Sequence, residues 1–190
     1  MTAYIAGNGI SRQPICLHTV KNKGNLYGCN SIHTEITPDV LVAADSDHAH
    51  LIQMTGYGHD NIFYTRNPYS DKGAFKLKQP YANWSSGSNA VQLAILHGHT
   101  NLYLFGFDFG STGDKFNNVF ADTPYYKKST DPATYGGNWH HQINTIIKHN
   151  KGIHFTIVTG SDTNAVDNIK NYKNVEIMST DEFLKHINNV

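Results

Sequence analysis

Residues 86–110 read SGSNAVQLAILHGHTNLYLFGFDFG, and this stretch decides the fold. Its first half places Ala90, Val91, Ala94, Ile95 and Leu96 behind Ser86-Gly87-Ser88 at helical spacing, and the pattern stops at Gly98. Glycine readily takes the left-handed conformation that ends a helix. Asn101–Phe105 follows as an apolar run of strand length, closed by Gly106 and Asp108. A helix that hands over so quickly to a buried strand is half of a β-α-β unit. Outward from there the alternation continues. Strand-like runs Ala3–Ala6, Asn25–Gly28, Asp39–Ala44 and Asn61–Thr65 precede it, and His154–Val158 and Val175–Met178 follow. Trp139, Ile143, Ile146 and Ile147 predict one helix. Ser161 is expected to cap another that carries Ala165, Val166, Ile169 and Tyr172. Ser179-Thr180-Asp181-Glu182 is a capping-box pattern ahead of Phe183, Leu184 and Ile187. Together these predict a single α/β domain over residues 1–190, with a mostly parallel sheet, helices on both faces and right-handed crossovers. Residues 111–138 show neither periodicity and are long for a connection in a compact domain, so they read as a lid-like loop.

Composition removes several classes of function. The 190 residues carry 15 Lys+Arg and 15 Asp+Glu, and only 16% are charged. With 11 Tyr and 9 Phe the chain has ample aromatic mass for a core, unlike a disordered chain. The longest basic run is Lys127-Lys128, too little to neutralise a phosphate backbone, so no nucleic-acid partner is expected. No stretch approaches the roughly 18 apolar residues of a membrane span. The first residues have neither the basic nor the long apolar region of a signal peptide. Cys16 and Cys29 make neither a disulfide framework nor a zinc set and read as reduced thiols of a cytoplasmic protein. The 12 histidines leave a zinc site as a minor alternative.

In open α/β sheets ligands bind outside the carboxyl ends of the strands, where the unusual residues of this chain gather. Gly7-Asn8-Gly9 follows the first strand; its glycines let backbone N–H groups approach a phosphate, and Ser11 either donates to that phosphate or caps a turn. Asn30 offers an amide to a base or ribose, or makes an ordinary turn. Asp45 and Asp47 place two carboxylates at a strand end, suited to Mg2+ or Mn2+ against a diphosphate; alternatively Asp45 caps a helix containing Ala49, Leu51 and Ile52. Ser86 and Gly87 open a helix, which is either an anion site or a plain cap. Asp108 is a lone acid at a buried strand end, expensive unless paired or used. Tyr125 and Tyr126 supply phenol donors from the loop. His140 and His141 stand at a glycine-preceded helix start, off its apolar face, where a histidine suits a general base.

Taken in order, Ile-Ala-Gly-Asn-Gly-x-Ser (5–11), Gly-Cys-Asn-Ser (28–31), Ser-Ser-Gly-Ser (85–88) and Leu-Tyr-Leu-Phe-Gly-Phe-Asp-Phe (102–109) resemble the metal-independent bacterial sialyltransferases. That resemblance implies a Rossmann-like domain with a lid and a CMP-sugar donor transferred with inversion to a hydroxyl acceptor. It implies no cofactor. It sets Gly7, Asn8, Gly9, Asn30, Ser86, Gly87 and Asp108 around the donor, with His140 or His141 as base and Tyr125 or Tyr126 on the departing phosphate. The chain departs from the family at Ile10, where proline is usual, and at Gly110, where a tyrosine is. Ile36 through Asp45 resembles instead the 6-hydroxymethylpterin diphosphokinase-like domains, which implies a nucleoside triphosphate and Mg2+. A degenerate, non-catalytic nucleotide binder is the third expectation, and a homo-oligomer is compatible with all three.

Overall fold

The computed structural model describes residues 1–78 and 81–189. Eight strands form one open sheet: β1 (Thr2–Ala6), β2 (Asn25–Cys29), β3 (Val40–Ala43), β4 (Phe63–Thr65), β5 (Phe75–Lys76), β6 (Asn101–Phe105), β7 (His154–Thr159) and β8 (Val175–Ser179). Every pairing is parallel, in the order β5-β4-β3-β2-β1-β6-β7-β8. Parallel strands need both faces covered, which is why these segments read as near-continuous apolar runs rather than alternating ones.

Six helices supply most of that cover: α1 (Leu17–Lys21), α2 (Ser46–Met54), α3 (Tyr57–Asp60), α4 (Ser86–Leu96), α5 (Gly137–His149) and α6 (Thr180–Asn189). On one face Val91 and Ala94 of α4 and Ile143, Ile146 and Ile147 of α5 bury against Ile5, Val42, Leu104 and Ile157. On the other, Leu17 and Val20 of α1, Ala49 and Ile52 of α2 and Phe183 and Ile187 of α6 bury against Tyr4, Leu41 and Phe105. Successive strand side chains point to opposite faces, so Tyr4 and Ile5 serve different layers. No described helix is long and apolar enough to cross a membrane.

The strand order locates the site. From β1 the chain steps outward to β5, then returns through α4, which lies across β1, β2 and β3, to start β6 on the other side of β1. Connections after β1 and β6 therefore leave on opposite faces, and a crevice opens between the carboxyl ends of these two strands.

The expected α/β fold with a parallel sheet is present, every strand pair being parallel, and the sheet also contains β5, a two-residue edge strand too short to carry a pattern. Two expectations change. The helix expected after Ser161 does not form; residues 161–172 are turns and irregular backbone, although Val166 and Ile169 still bury in the core. Its would-be first turn is occupied elsewhere: Thr163 Oγ1 donates to Asp108 Oδ1, and Asn164 donates from its backbone and from Nδ2 to the Asp108 carbonyl. Asp45 does stand at the N-cap of α2, but its side chain makes no capping hydrogen bond.

Candidate functional site

The crevice is built by backbone approach. Gly7 N–H donates to the Phe105 carbonyl at 2.8 Å and Gly9 N–H to the Gly106 carbonyl at 2.9 Å, so the loop after β1 lies directly on the loop after β6. A Cβ on Gly7 would meet Gly106 O at 2.3 Å, and one on Gly9 would meet Asp108 Oδ2 at 2.4 Å. Both glycines are thus required by this loop-on-loop packing, independently of any phosphate. Asp108 is buried and fully engaged: Oδ2 accepts from Ser11 N at 3.0 Å and Oδ1 from Thr163 Oγ1 at 3.1 Å. It anchors both loops. Ser11 lies beneath the crevice and is buried, its backbone on Asp108 and its hydroxyl without a partner.

The opposite wall comes from β2, β3 and α4. Asn30 holds a left-handed backbone at φ 51°, a conformation asparagine tolerates better than most residues, and turns its side chain toward α4. Ser86 Oγ donates to Asn30 Oδ1 at 2.8 Å and accepts from Ala44 N at 2.9 Å, tying three elements at one point. Ser85 is the true cap of α4: its Oγ accepts from Ser88 N, while its own N–H donates to Gln142 Oε1 of α5. The N–H groups of Ser86 and Gly87 make no hydrogen bond within the described residues and lie at the positive end of the helix, beside the crevice.

Gly7, Asn8, Gly9, Asn30, Asp45, Ser86, Gly87 and Asp108 therefore come together around one cleft. The other expected residues lie outside its lining. Asp47 is exposed beside Ser46 and is not among the lining residues, whereas Asp45 is, and among the described residues no three His, Cys, Asp or Glu side chains form a metal-binding group. Tyr126 plugs in behind Asn8, whose Nδ2 reaches its hydroxyl at 3.5 Å and the Cys29 carbonyl at 3.0 Å. Burial pushes the Tyr126 phenol up, opposed by hydrogen bonds from Ser31, Asn30 and Asn8. Tyr125 is exposed. His140 packs edge-on against Phe109 with its Nε2 buried and unpartnered, and desolvation lowers its pKa so that the ring is neutral at pH 7. His141 is on the surface.

The aromatic part of the cleft had no distinctive signal. Phe107, Phe109 and Trp139 line it, and Trp139 and Ile143 do so from the apolar face that also packs α5 on the sheet. Phe109 has φ 53°, a strained backbone for a bulky residue, held by Asn164 Nδ2 on its carbonyl at 3.0 Å. Cys29 lines the cleft as well, but burial raises its thiol to about 12, which leaves it inert at neutral pH. The loop after β6 closes one side: Val119 N–H donates to Asn8 O, Asn117 Oδ1 accepts from Ile10 N, and Asn117 and Asn118 reach the cleft. Among the described lining residues there is no lysine, arginine or histidine.

No family model, curated protein or solved structure matches the chain.

Proposed function

We propose that the chain binds a nucleotide-sugar in the cleft between β1 and β6 and transfers the sugar, with inversion, to a hydroxyl acceptor, the CMP-sugar type being the donor its motifs suggest. One observation carries this reading. Ser86 and Gly87, whose N–H groups make no hydrogen bond within the described residues, line the switch-point cleft at the start of α4, where a phosphate would gain both hydrogen bonds and the favourable end of the helix dipole. Asn8 and Asn30 supply amides beside it, and Phe107, Phe109 and Trp139 supply flat apolar surface for a base. In the transfer, the acceptor oxygen bonds to the anomeric carbon as the bond from that carbon to the phosphate oxygen breaks. The phosphate leaves with the electron pair, and the helix terminus stabilises its charge. The acceptor proton goes to a neutral base. Of the two histidines, His140 touches a cleft residue, Phe109, and has a free ring nitrogen. The free thiols Cys16 and Cys29 suit a reducing compartment such as the cytoplasm.

The Mg2+-dependent diphosphokinase reading needs Asp45 and Asp47 on one ion, and only Asp45 lines the cleft. Thermal shift with CMP, CDP, CTP, CMP-sialic acid, UDP-sugars, GTP and ATP, each with Mg2+ and with EDTA, separates the two. Stabilisation by cytidine nucleotides that survives EDTA is expected. Stabilisation by triphosphates only with Mg2+ moves the assignment to diphosphoryl transfer, and none at all removes the nucleotide site. In an active preparation His140→Ala abolishes transfer and His141→Ala leaves it; equal retention by both means that another group takes the proton, and binding without any turnover leaves a non-catalytic nucleotide binder.

A further inference from the structure

The peptide group that joins Trp84 to Ser85, immediately ahead of α4, is gripped on both sides. Its carbonyl accepts from Arg66 Nη2 at 2.9 Å and from Asn89 Nδ2 at 3.0 Å, and its N–H donates to Gln142 Oε1 at 3.0 Å. Arg66 stands just past the end of β4, and its Nε donates to the Ala82 carbonyl at 2.7 Å. Gln142 comes from α5, the helix whose Trp139 and Ile143 line the cleft. A helix start needs no such grip, since Ser85 already caps α4. The charge is out of place as well. Guanidinium is a permanent cation, and among the described residues Arg66 pairs with no carboxylate, Asp45 and Asp108 of the cleft included. A cation at the positive end of a helix opposes the macrodipole, so Arg66 stands where the helix itself favours an anion.

We infer that Arg66 and Gln142 are positioning residues for the phosphate of the donor: they fix the Trp84–Ser85 peptide, which aims the N–H groups of Ser86 and Gly87, and Arg66 adds a positive charge behind them. This rests on the nucleotide-sugar reading above and deepens it. Neither residue lines the cleft, so both act through the peptide ahead of the cap. Donors that are fixed beforehand need no reorganisation as charge develops on the departing phosphate. Gln142 has a second consequence. It shares a turn of α5 with Trp139 and His140, so its bond to Ser85 keeps the proposed base in register with the phosphate end of α4.

Titration calorimetry with cytidine and with CMP, in EDTA, tests the assignment on the full chain, on Arg66→Gln and on Gln142→Leu. The two ligands differ by the phosphate alone, so the ratio of their dissociation constants isolates what the start of α4 contributes. The full chain is expected to bind CMP at least about tenfold more tightly than cytidine. That ratio falls about fivefold or more in Arg66→Gln, which loses the charge, and about threefold in Gln142→Leu, which frees the Ser85 N–H, while cytidine affinity stays within about twofold in both. A merely structural role lowers the melting temperature and leaves the ratio where it was. The melting temperature also shows that each variant is folded during the titration; where one does not fold, the other decides. An unchanged ratio in a folded variant, or an equal loss for both ligands, overturns the inference and leaves the nucleotide-sugar reading standing. Equal affinity of the full chain for cytidine and CMP removes the phosphate site at α4 and the inference with it. No binding of either ligand removes the nucleotide-sugar reading as well.

Discussion

At the scale of single residues, the glycines of the site serve two different ends, and substitution tells them apart. Gly9 faces protein: a Cβ there would press on the Asp108 carboxylate at 2.4–2.5 Å and on the Gly106 carbonyl at 2.8 Å, neither of which has room to retreat. Gly9→Ala is expected to cost about 1–3 kcal/mol, the range of a forced core clash, read as a lower urea midpoint at constant slope. Gly87 faces the cleft. Its Cβ would come within 3.1 Å of Phe107 Cε1, a ring edge that gives by a few tenths of an ångström, and alanine gains about 1 kcal/mol of helix propensity. Gly87→Ala is therefore near-neutral in the same urea experiment; a loss as large as that of Gly9→Ala contradicts the packing described here. The sequence announced both glycines but not this distinction, since a turn glycine and a cleft glycine look alike until the partner across the gap is known. Asn30, Ser86 and Gly87 were legible because cap and turn chemistry is local. Phe107, Phe109 and Trp139 were not, because an apolar residue that lines a cleft is written like one that fills a core.

At the scale of elements, those with strong local pattern formed where expected. α4 begins behind its Ser85 cap and ends before Gly98 at φ 86°. The capping box of α6 is complete: Ser179 N–H donates to Glu182 Oε2 at 2.8 Å, and Glu182 N–H donates to Ser179 Oγ at 3.2 Å. The Ser179 hydroxyl and N–H hold the Glu182 carboxyl below its ordinary range. Ser179→Ala is expected to cost about 1 kcal/mol, the usual worth of an N-cap side chain. The loss should appear first as faster amide exchange in the opening turn of α6, because Phe183 and Ile187 still anchor the rest. Unchanged exchange there means that packing alone defines the helix start. The segment after Ser161 failed as a helix for a reason no local window contains: Thr163 and Asn164 bond to Asp108, 55 and 56 residues away. A stretch rich in Asp, Asn and Thr has weak helix propensity, so these long-range bonds decide its shape and commit it to holding the cleft loops.

At the scale of the whole molecule, three histidines set the acid limit of the fold. His48, His99 and His140 all have pKa values lowered below the ordinary 6.5, each with desolvation as the leading cause. The charges about them follow: Asp45 and Asp47 oppose the shift at His48 and His33 adds to it, the Met1 amine and His97 add to it at His99, and His141 adds to it at His140. The folded state therefore keeps these rings neutral in a window where the unfolded chain protonates them. Between pH 6.5 and the depressed folded values the unfolded state binds more protons, so stability is held above pH 6.5 and falls as pH drops through that window. Asp122, Asp167 and Glu182, lowered chiefly by hydrogen bonds from Ser129, Lys170 and Ser179, act in the same direction but later, as pH falls below their ordinary values of 3.8, 3.8 and 4.5. Acid unfolding should thus proceed in two stages, a histidine-linked decline that precedes a carboxylate-linked one. Calorimetry at about pH 6, repeated in buffers of different ionisation enthalpy, should show net proton uptake on unfolding. That uptake should shrink in His99→Asn and His140→Asn, which remove titration from opposite ends of the sheet: His99 stands just before the start of β6 and His140 beside the loop that follows it. Proton release, or a melting temperature that rises from pH 7 to pH 5.5, would mean that the rings are charged when folded, and would also remove His140 as the neutral acceptor of the transfer proton.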